Sequence, residues 1–186
     1  MLLPNFSVFI DGGGNLSNLQ QKYLEKRFPQ FDKVFVFEPN PLFYNSYLSR
    51  KITFLPKAIW IKDCDKQFYL SKDKRQVGSS LLSDKLCRVN DKFVKDFHEK
   101  SIHVSCVDFS KWLLENTKSY FNIYLKLDIE GAEYEVLWHL IHEGTIKYIK
   151  KLYVEFHLEH LPEKSETHFK LIEKLKSIGL PPLDWQ

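Results

Sequence analysis

Ser7-Val-Phe-Ile-Asp-Gly-Gly-Gly-Asn-Leu-Ser17 is the stretch that decides the architecture of this chain. The apolar run from Ser7 to Ile10 is too short for a helix and reads as a buried strand. Asp11 and three glycines close it. Ser17 can cap the following segment, where Leu16, Leu19, Tyr23 and Leu24 recur at helical spacing up to Phe28. Pro29 then stops the helix, because it has no N–H to donate and its ring clashes with the preceding turn. A buried strand, a glycine loop and an amphipathic helix form the opening unit of a doubly wound α/β sheet.

The same alternation continues along the chain. Val34-Phe-Val-Phe37 is a second buried strand, closed by Glu38-Pro39, and Leu42, Tyr44 and Leu48 mark another helix. Ile52-Thr-Phe-Leu55 and Ala58-Ile-Trp-Ile61 read as a third strand interrupted by Pro56. Gln67-Phe-Tyr-Leu70 is expected to pair with it across a turn at residues 62–66. The stretch 71–100 is rich in Ser, Lys and Asp, and reads as an irregular, substrate-shaping loop with an apolar anchor at Val77–Leu82. Ile102–Val107 is a strand, and Asp108 or Ser110 starts a helix carrying Phe109, Trp112 and Leu113. Ile123–Leu127 is a strand ending at Asp128. A helix over 132–143 carries the stripe Val136, Leu137, Leu140 and Ile141, with Gly144 as its terminator. Leu152–Phe156 is the next strand, and a last helix covers 163–177. Apolar strands alternating with amphipathic helices predict one α/β domain over 1–186, with a mostly parallel sheet covered by helices on both faces. Only Leu180–Gln186 follow the last helix, so either the sheet is shortened at that edge or the sequence is truncated there. An exposed edge would invite a homodimer.

Bulk properties narrow the function classes. The 186 residues suit a single core. Fifteen phenylalanines and nine tyrosines supply bulk for it. Cys64, Cys87 and Cys106 are widely spaced and odd in number, which gives neither a disulfide framework nor a zinc knuckle. A net charge of +3, from 27 basic and 24 acidic side chains, does not point to nucleic acid. No segment has the roughly 20 consecutive apolar residues of a membrane span, and residues 1–10 lack the basic region of a secretory signal. The expected setting is cytoplasmic.

In open α/β sheets ligands bind beyond the carboxyl ends of the strands. Four predicted strands end there in carboxylates: Asp11, Glu38, Asp128 and Glu155. Gly12, Gly14 and Ser17 nearly match the dinucleotide fingerprint, but its third glycine is missing. Asp11 stands where it would oppose a pyrophosphate. A ligand with an ammonium or sulfonium and no phosphate suits Asp11 better, and S-adenosylmethionine is such a ligand. Gly12, Gly13 and Gly14 would let its methionine part approach the backbone, with Asn15 adding an amide contact or simply an αL position. Glu38 can accept from both ribose hydroxyls, as it would in an NAD site, and Pro39 stiffens the turn behind it. Ala58 to Asp63 is where an adenine edge would lie, with Asp63 as acceptor for the amino group or as a solvated turn residue. In Lys126-Leu-Asp-Ile-Glu-Gly-Ala-Glu133, alternation directs Lys126, Asp128 and Glu130 to one side, and Gly131 permits a sharp turn. His157 follows Glu155 and is a candidate general base. These carboxylates and His157 could also hold a divalent metal, but no ligand spacing is diagnostic and none is assigned.

Taken together these motifs resemble the FkbM-type family of S-adenosylmethionine-dependent methyltransferases, which have a Rossmann-like fold. Asp11–Ser17 is similar to its first-strand motif, with Ser17 in place of the usual glycine. Phe37-Glu38-Pro39, Ala58, Gly78-Ser79-Ser80, Val104 to Phe109, and Glu155 with His157 also match. The most specific signal is Lys126, Asp128, Glu130, Gly131 and Glu133, kept complete. The resemblance spans residues 7–160. It implies that Asp11, Gly13 and Asn15 hold the methionine part of the cofactor, that Glu38 holds the ribose, and that Asp128 and Glu130 face the transferred methyl. It implies methylation of oxygen on sugars or other small molecules. The residues expected to carry the chemistry are Asp128, Glu130, His157 and Lys126. The competing readings are an NAD-linked enzyme and a non-catalytic relative acting through protein or RNA contacts.

Overall fold

A computed structural model describes residues 6–14, 31–44, 52–72, 76–89, 92–95, 100–118 and 122–184. The helix expected over 17–28, Asn15 and Ser17, and the later part of the Leu42–Leu48 helix lie outside these residues. Among those described, Pro41–Phe43 form a short 3-10 helix.

The main sheet is built from β1 (Ser7–Gly12), β2 (Lys33–Phe37), β3 (Ile52–Leu55), β9 (Asn122–Leu127) and β10 (Ile149–Val154). All five strands are parallel, in the order β10-β9-β1-β2-β3. Val8, Phe9 and Ile10 of the central β1 are wholly enclosed, which is why that strand is a continuous apolar run and not an alternating one. Ile10, Leu125, Leu127 and Leu152 share one core with Leu113 of helix α1 (Phe109–Asn116), Val136 and Leu140 of helix α2 (Glu133–His142) and Leu171 and Leu175 of helix α3 (Ser165–Ser177). Phe9, Phe31, Val34, Val36 and Ile52 form a second cluster. Asp108 caps α1 through Lys111 N at 3.1 Å, as its position before the helix predicts. Gly144, at φ 70°, ends α2 as expected.

Three expectations are corrected. First, residues 52–61 are not one interrupted strand. β3 joins the main sheet, whereas β4 (Ala58–Trp60) joins a separate three-stranded sheet. Pro56 cannot donate to a ladder, so the chain changes sheets there. Second, β5 (Cys64–Tyr69) does not pair with β4. The eight-residue β8 (Ser101–Asp108) lies between them, parallel to β4 and antiparallel to β5. Third, the 71–100 stretch contains the antiparallel pair β6 (Leu86–Val89) and β7 (Lys92–Lys95), and Ser80 bridges to Tyr69.

The β10 edge is also less open than expected. Leu183 bridges to Tyr153 in parallel, with Val154 N donating to Leu183 O at 3.0 Å and Leu183 N donating to Leu152 O at 2.9 Å. The last described residues thus take up hydrogen-bonding groups that a dimer would need. Among the described residues no helix is long and apolar enough to cross a membrane.

Candidate functional site

The chain leaves β1 toward β2 and β3 on one side, and returns to place β9 and β10 on the other. This reversal of strand order puts the ends of β1 and β9 side by side at the switch point. Gly12 O accepts from Asp128 N at 3.0 Å, and the N–H groups of Gly13 and Gly14 both donate to Phe37 O at 3.1 Å. An open cavity lies over these ends. Gly13, Glu38, Asn40, Ala58, Asp128 and Glu130 line it, and Phe37, Ile59, Phe68 and Leu81 give it apolar walls.

Asp11 is not part of that lining. It is 1 % exposed and lies beneath the loop, against Lys126, whose side chain has no exposed surface. Lys126 Nζ stands 3.0 Å from Asp11 Oδ1 and 3.4 Å from Asp128 Oδ2, and donates to Gly13 O at 3.1 Å. Burial would strip the lysine of its proton, but Asp11 and Asp128 outweigh it and push its pKa above the usual value. Lys126 therefore stays charged and braces the β1 and β9 termini from within. Neither Lys126 nor Asp11 is among the residues that line the cavity. Asp128, Glu130 and Glu155 stand at the cavity itself, whereas Asp11 lies beneath it.

Glu38 is 4 % exposed, and its Oε1 accepts from Asn40 N at 2.7 Å, so the turn after β2 holds the carboxylate in place. Pro39 O accepts from Tyr44 Oη at 3.3 Å. Asn40 donates through Nδ2 to Gln76 Oε1 at 2.7 Å. Asp63 is not brought to the cavity. Its side chain is 57 % exposed, accepting from Asp108 N at 3.1 Å and Lys111 Nζ at 3.0 Å. Those two partners, the backbone N–H first, hold its carboxyl below the usual range.

The turn from β9 into α2 is built by Glu133, which is fully enclosed. Its Oε1 accepts from Ile129 N at 2.8 Å and its Oε2 from Gly131 N at 2.9 Å. Glu130 sits at φ 58° and Gly131 at φ 104°. Left-handed backbone at a non-glycine residue is uncommon and persists only where its surroundings fix it. The Glu133 bonds do so, and they present Glu130 to the cavity. Glu133 also receives His157 Nδ1 at 3.2 Å, and His157 Nε2 lies 3.2 Å from Glu130 Oε2 and 3.8 Å from Asp128 Oδ1.

Burial would lower the pKa of His157, but Glu133, Glu130 and Asp128 together raise it to about 9. At neutral pH the ring is a cation spanning three carboxylates. As a base it would first have to give up that proton, so its resting state is that of an electrostatic anchor. The raised pKa fixes a pH dependence. Stability from this cluster is complete below the ring's ordinary value of 6.5 and is lost as pH rises through about 9. The unfolding free energy should decline across that window, and His157→Gln should remove the His157 share of the decline. An unchanged slope in the variant, measured by urea titration at each pH, would assign it to another group.

Asp128, Glu130 and His157 also offer ligand atoms within 4.8 Å of one another, the arrangement a divalent ion would use. Lys126, Lys85 and the imidazolium already face these carboxylates. An ion would have to displace the His157 proton and compete with both lysines.

Ser80 and Glu133 stand in the sequence only as members of family-like motifs, with no contact assigned to either, and Lys85 only as the first of the charges from Lys85 to Lys95, a run that can frame an acidic substrate or form a solvated face. Glu133 had a signal in its fixed distance from Lys126, Asp128 and Glu130. A model for the family described as Methyltransferase FkbM domain matches residues 32–179. No curated protein and no solved structure matches the chain.

Proposed function

The chain belongs to the FkbM methyltransferase family, and from that premise we propose that it moves a methyl group from S-adenosylmethionine to a hydroxyl oxygen of a sugar or another small molecule. The observation that carries this reading is one cavity joining Glu38 at the end of β2 to Asp128 and Glu130 beyond β9. Glu38 would accept from a ribose diol. Phe37, Ile59 and Phe68 give a flat ring apolar surface near Ala58. Asp128 and Glu130 make the other end acidic, which suits a sulfonium cation. The donor set thus fits the cofactor, and it fits a pyrophosphate poorly.

When bound, S-adenosylmethionine supplies an electrophilic methyl on a positively charged sulfur. The protein's task is to align a hydroxyl with it, keep water out and take a proton as the new C–O bond forms and the C–S bond breaks. Asp128 is the proton acceptor we assign. Its side chain is 25 % exposed, faces the cavity and has one oxygen steadied by Lys126. His157, 3.8 Å from its other oxygen, balances its charge, Glu130 adds a second carboxylate beside the methyl, and Lys126 is a positioning residue.

Calorimetric titration tests the cofactor. S-adenosylmethionine should bind in the micromolar range and compete with S-adenosylhomocysteine, whereas NAD should give no heat of binding. Binding of NAD with none for S-adenosylmethionine would overturn the reading. Asp128→Asn should weaken S-adenosylmethionine binding, through loss of a carboxylate facing the sulfonium, more than S-adenosylhomocysteine binding, and at saturating cofactor should lower methyl transfer by about 100-fold or more, the usual scale for losing a general base. Labelled S-adenosylmethionine against a panel of glycans and hydroxylated small molecules is the corresponding assay.

A further inference from the structure

Lys85 is 2 % exposed although it lies in a lysine-rich stretch. A charge buried this deeply needs partners. It has two: its Nζ donates to Gly78 O at 2.9 Å and forms an ion pair with Glu130 Oε2. Ser80, wholly enclosed, donates through Oγ to Glu130 O at 2.7 Å and accepts from Leu82 N at 3.0 Å. Gln76, Gly78, Ser79 and Leu81 line the cavity, and Gln76 joins this wall to Asn40 after β2. One short segment is thereby tied to both ends of the cavity, and at the Glu130 end the tie runs through Lys85 and Ser80.

We infer that Lys85 is a positioning residue of the site, holding the Glu130 carboxylate at the cavity and fastening to it the wall that runs from Gln76 to Leu81. This rests on the proposed function for its consequence, but not for its test. The titratable and charged groups facing Glu130 are Lys85 from the wall, and His157, His160 and Glu155 from the segment after β10, with Asp128 on its own turn. Burial alone would raise the Glu130 pKa. Lys85 and then His157 outweigh it and hold the carboxyl below the usual range. Without Lys85, burial and the acidic neighbours are opposed by the histidines alone.

The test is a carbon NMR titration of the Glu130 side-chain carboxyl in the cofactor-free protein, assigned by its loss in E130Q. In K85M the Glu130 titration should move up by about one pH unit or more, and in K85R it should return to near the wild-type position. An unmoved titration in K85M, or K85R behaving like K85M, overturns the inference. Should K85M fail to fold, the K85M/E130Q double variant decides. Recovery of folding supports a lysine kept for Glu130, and failure overturns it. Cofactor binding gives the consequence. S-adenosylmethionine affinity of K85M should fall progressively below wild type as pH drops, by about twofold at the pH where its Glu130 is half protonated, and approach wild type at pH 8, while S-adenosylhomocysteine, which lacks the sulfonium charge, shows no such divergence. A gap that stays constant with pH points to a merely structural lysine and overturns the inference. If the wild type binds neither ligand, the methyltransfer reading fails, and the Glu130 titration still decides the role of Lys85.

Discussion

Replacing Lys126 by methionine should lower the melting temperature by roughly 10 °C or more, the largest stability loss expected of any single side chain at this site. The reason is the position of its charge. Lys126 is fully enclosed and its ammonium is shared between Asp11, which is also enclosed, Asp128 and the Gly13 carbonyl. Methionine fills much the same volume, so little packing is lost. The loss is electrostatic: Asp11 remains 1 % exposed with its cation gone. Stripping one partner from a buried pair typically costs about 3–5 kcal/mol, because the other charge can neither reach water nor find a new counter-ion. The alternative is for Asp11 to take up a proton, which makes the K126M loss smaller at low pH and larger at high pH. A double-mutant cycle separates this from general damage. D11N/K126M removes both charges and should be more stable than K126M alone, with a coupling energy of at least about 1 kcal/mol. Additive losses in thermal unfolding would show that the two residues do not form a working pair.

The contrast between Lys126 and Lys85 shows what the sequence can and cannot express. Lys126 lies between Leu125 and Leu127 in an apolar strand, so a buried and paired ammonium is legible from its immediate neighbours. Lys85 lies between Ser83-Asp84 and Leu86-Cys87, and only the wider stretch, with charges at Lys72, Lys74, Lys92 and Lys95, reads as a solvated face. Its ammonium is instead taken up by Gly78 O and by Glu130, a residue 45 positions away. The same limit governs the sheets. Apolar runs identify β1, β2, β9 and β10 and their parallel arrangement, because burial on both faces leaves a local signature. Nothing local says that β8 inserts between β4 and β5, or that Pro56 marks a change of sheet and not a break in one strand. For the site, Glu38, Asp128 and Glu155 are gathered at the cavity as the topology dictates, while Asp11 lies beneath it and Asp63 away from it. Their roles are less legible. Asp11 looks like a ligand contact by its place before the glycines, yet its partner comes from a strand more than a hundred residues later. His157 looks like a base by its chemistry, and only the three carboxylates around it make it a cation.

Gly13→Ala should abolish measurable cofactor binding. Gly13 has φ +83°, a conformation in which an L side chain is strained wherever it is placed. The space is closed as well. A Cβ at this position would lie 1.7 Å from the carbonyl oxygen of Asp128 and 2.7 Å from its carbonyl carbon. Both are backbone atoms, so no rotamer change relieves the clash. The ends of β1 and β9 must separate. That separation breaks the Asp128 N–H bond to Gly12 O, lifts Gly13 O off Lys126 and displaces Asp128 from the cavity. Gly12 offers the instructive comparison. Its added Cβ would meet Ile59 Cδ1 at 2.8 Å and Leu127 Cδ2 at 3.0 Å, the far ends of flexible side chains, with the Lys126 carbonyl at 3.2 Å. Gly12→Ala should therefore weaken binding by about 1–3 kcal/mol, a typical cost of overpacking, without abolishing it. Calorimetry with S-adenosylmethionine on both variants, with circular dichroism to confirm folding, measures the difference. Equal affinities for G13A and wild type would mean that the β1 and β9 ends are not packed as described. They would also mean that the glycine loop does not form the floor on which the cofactor is held.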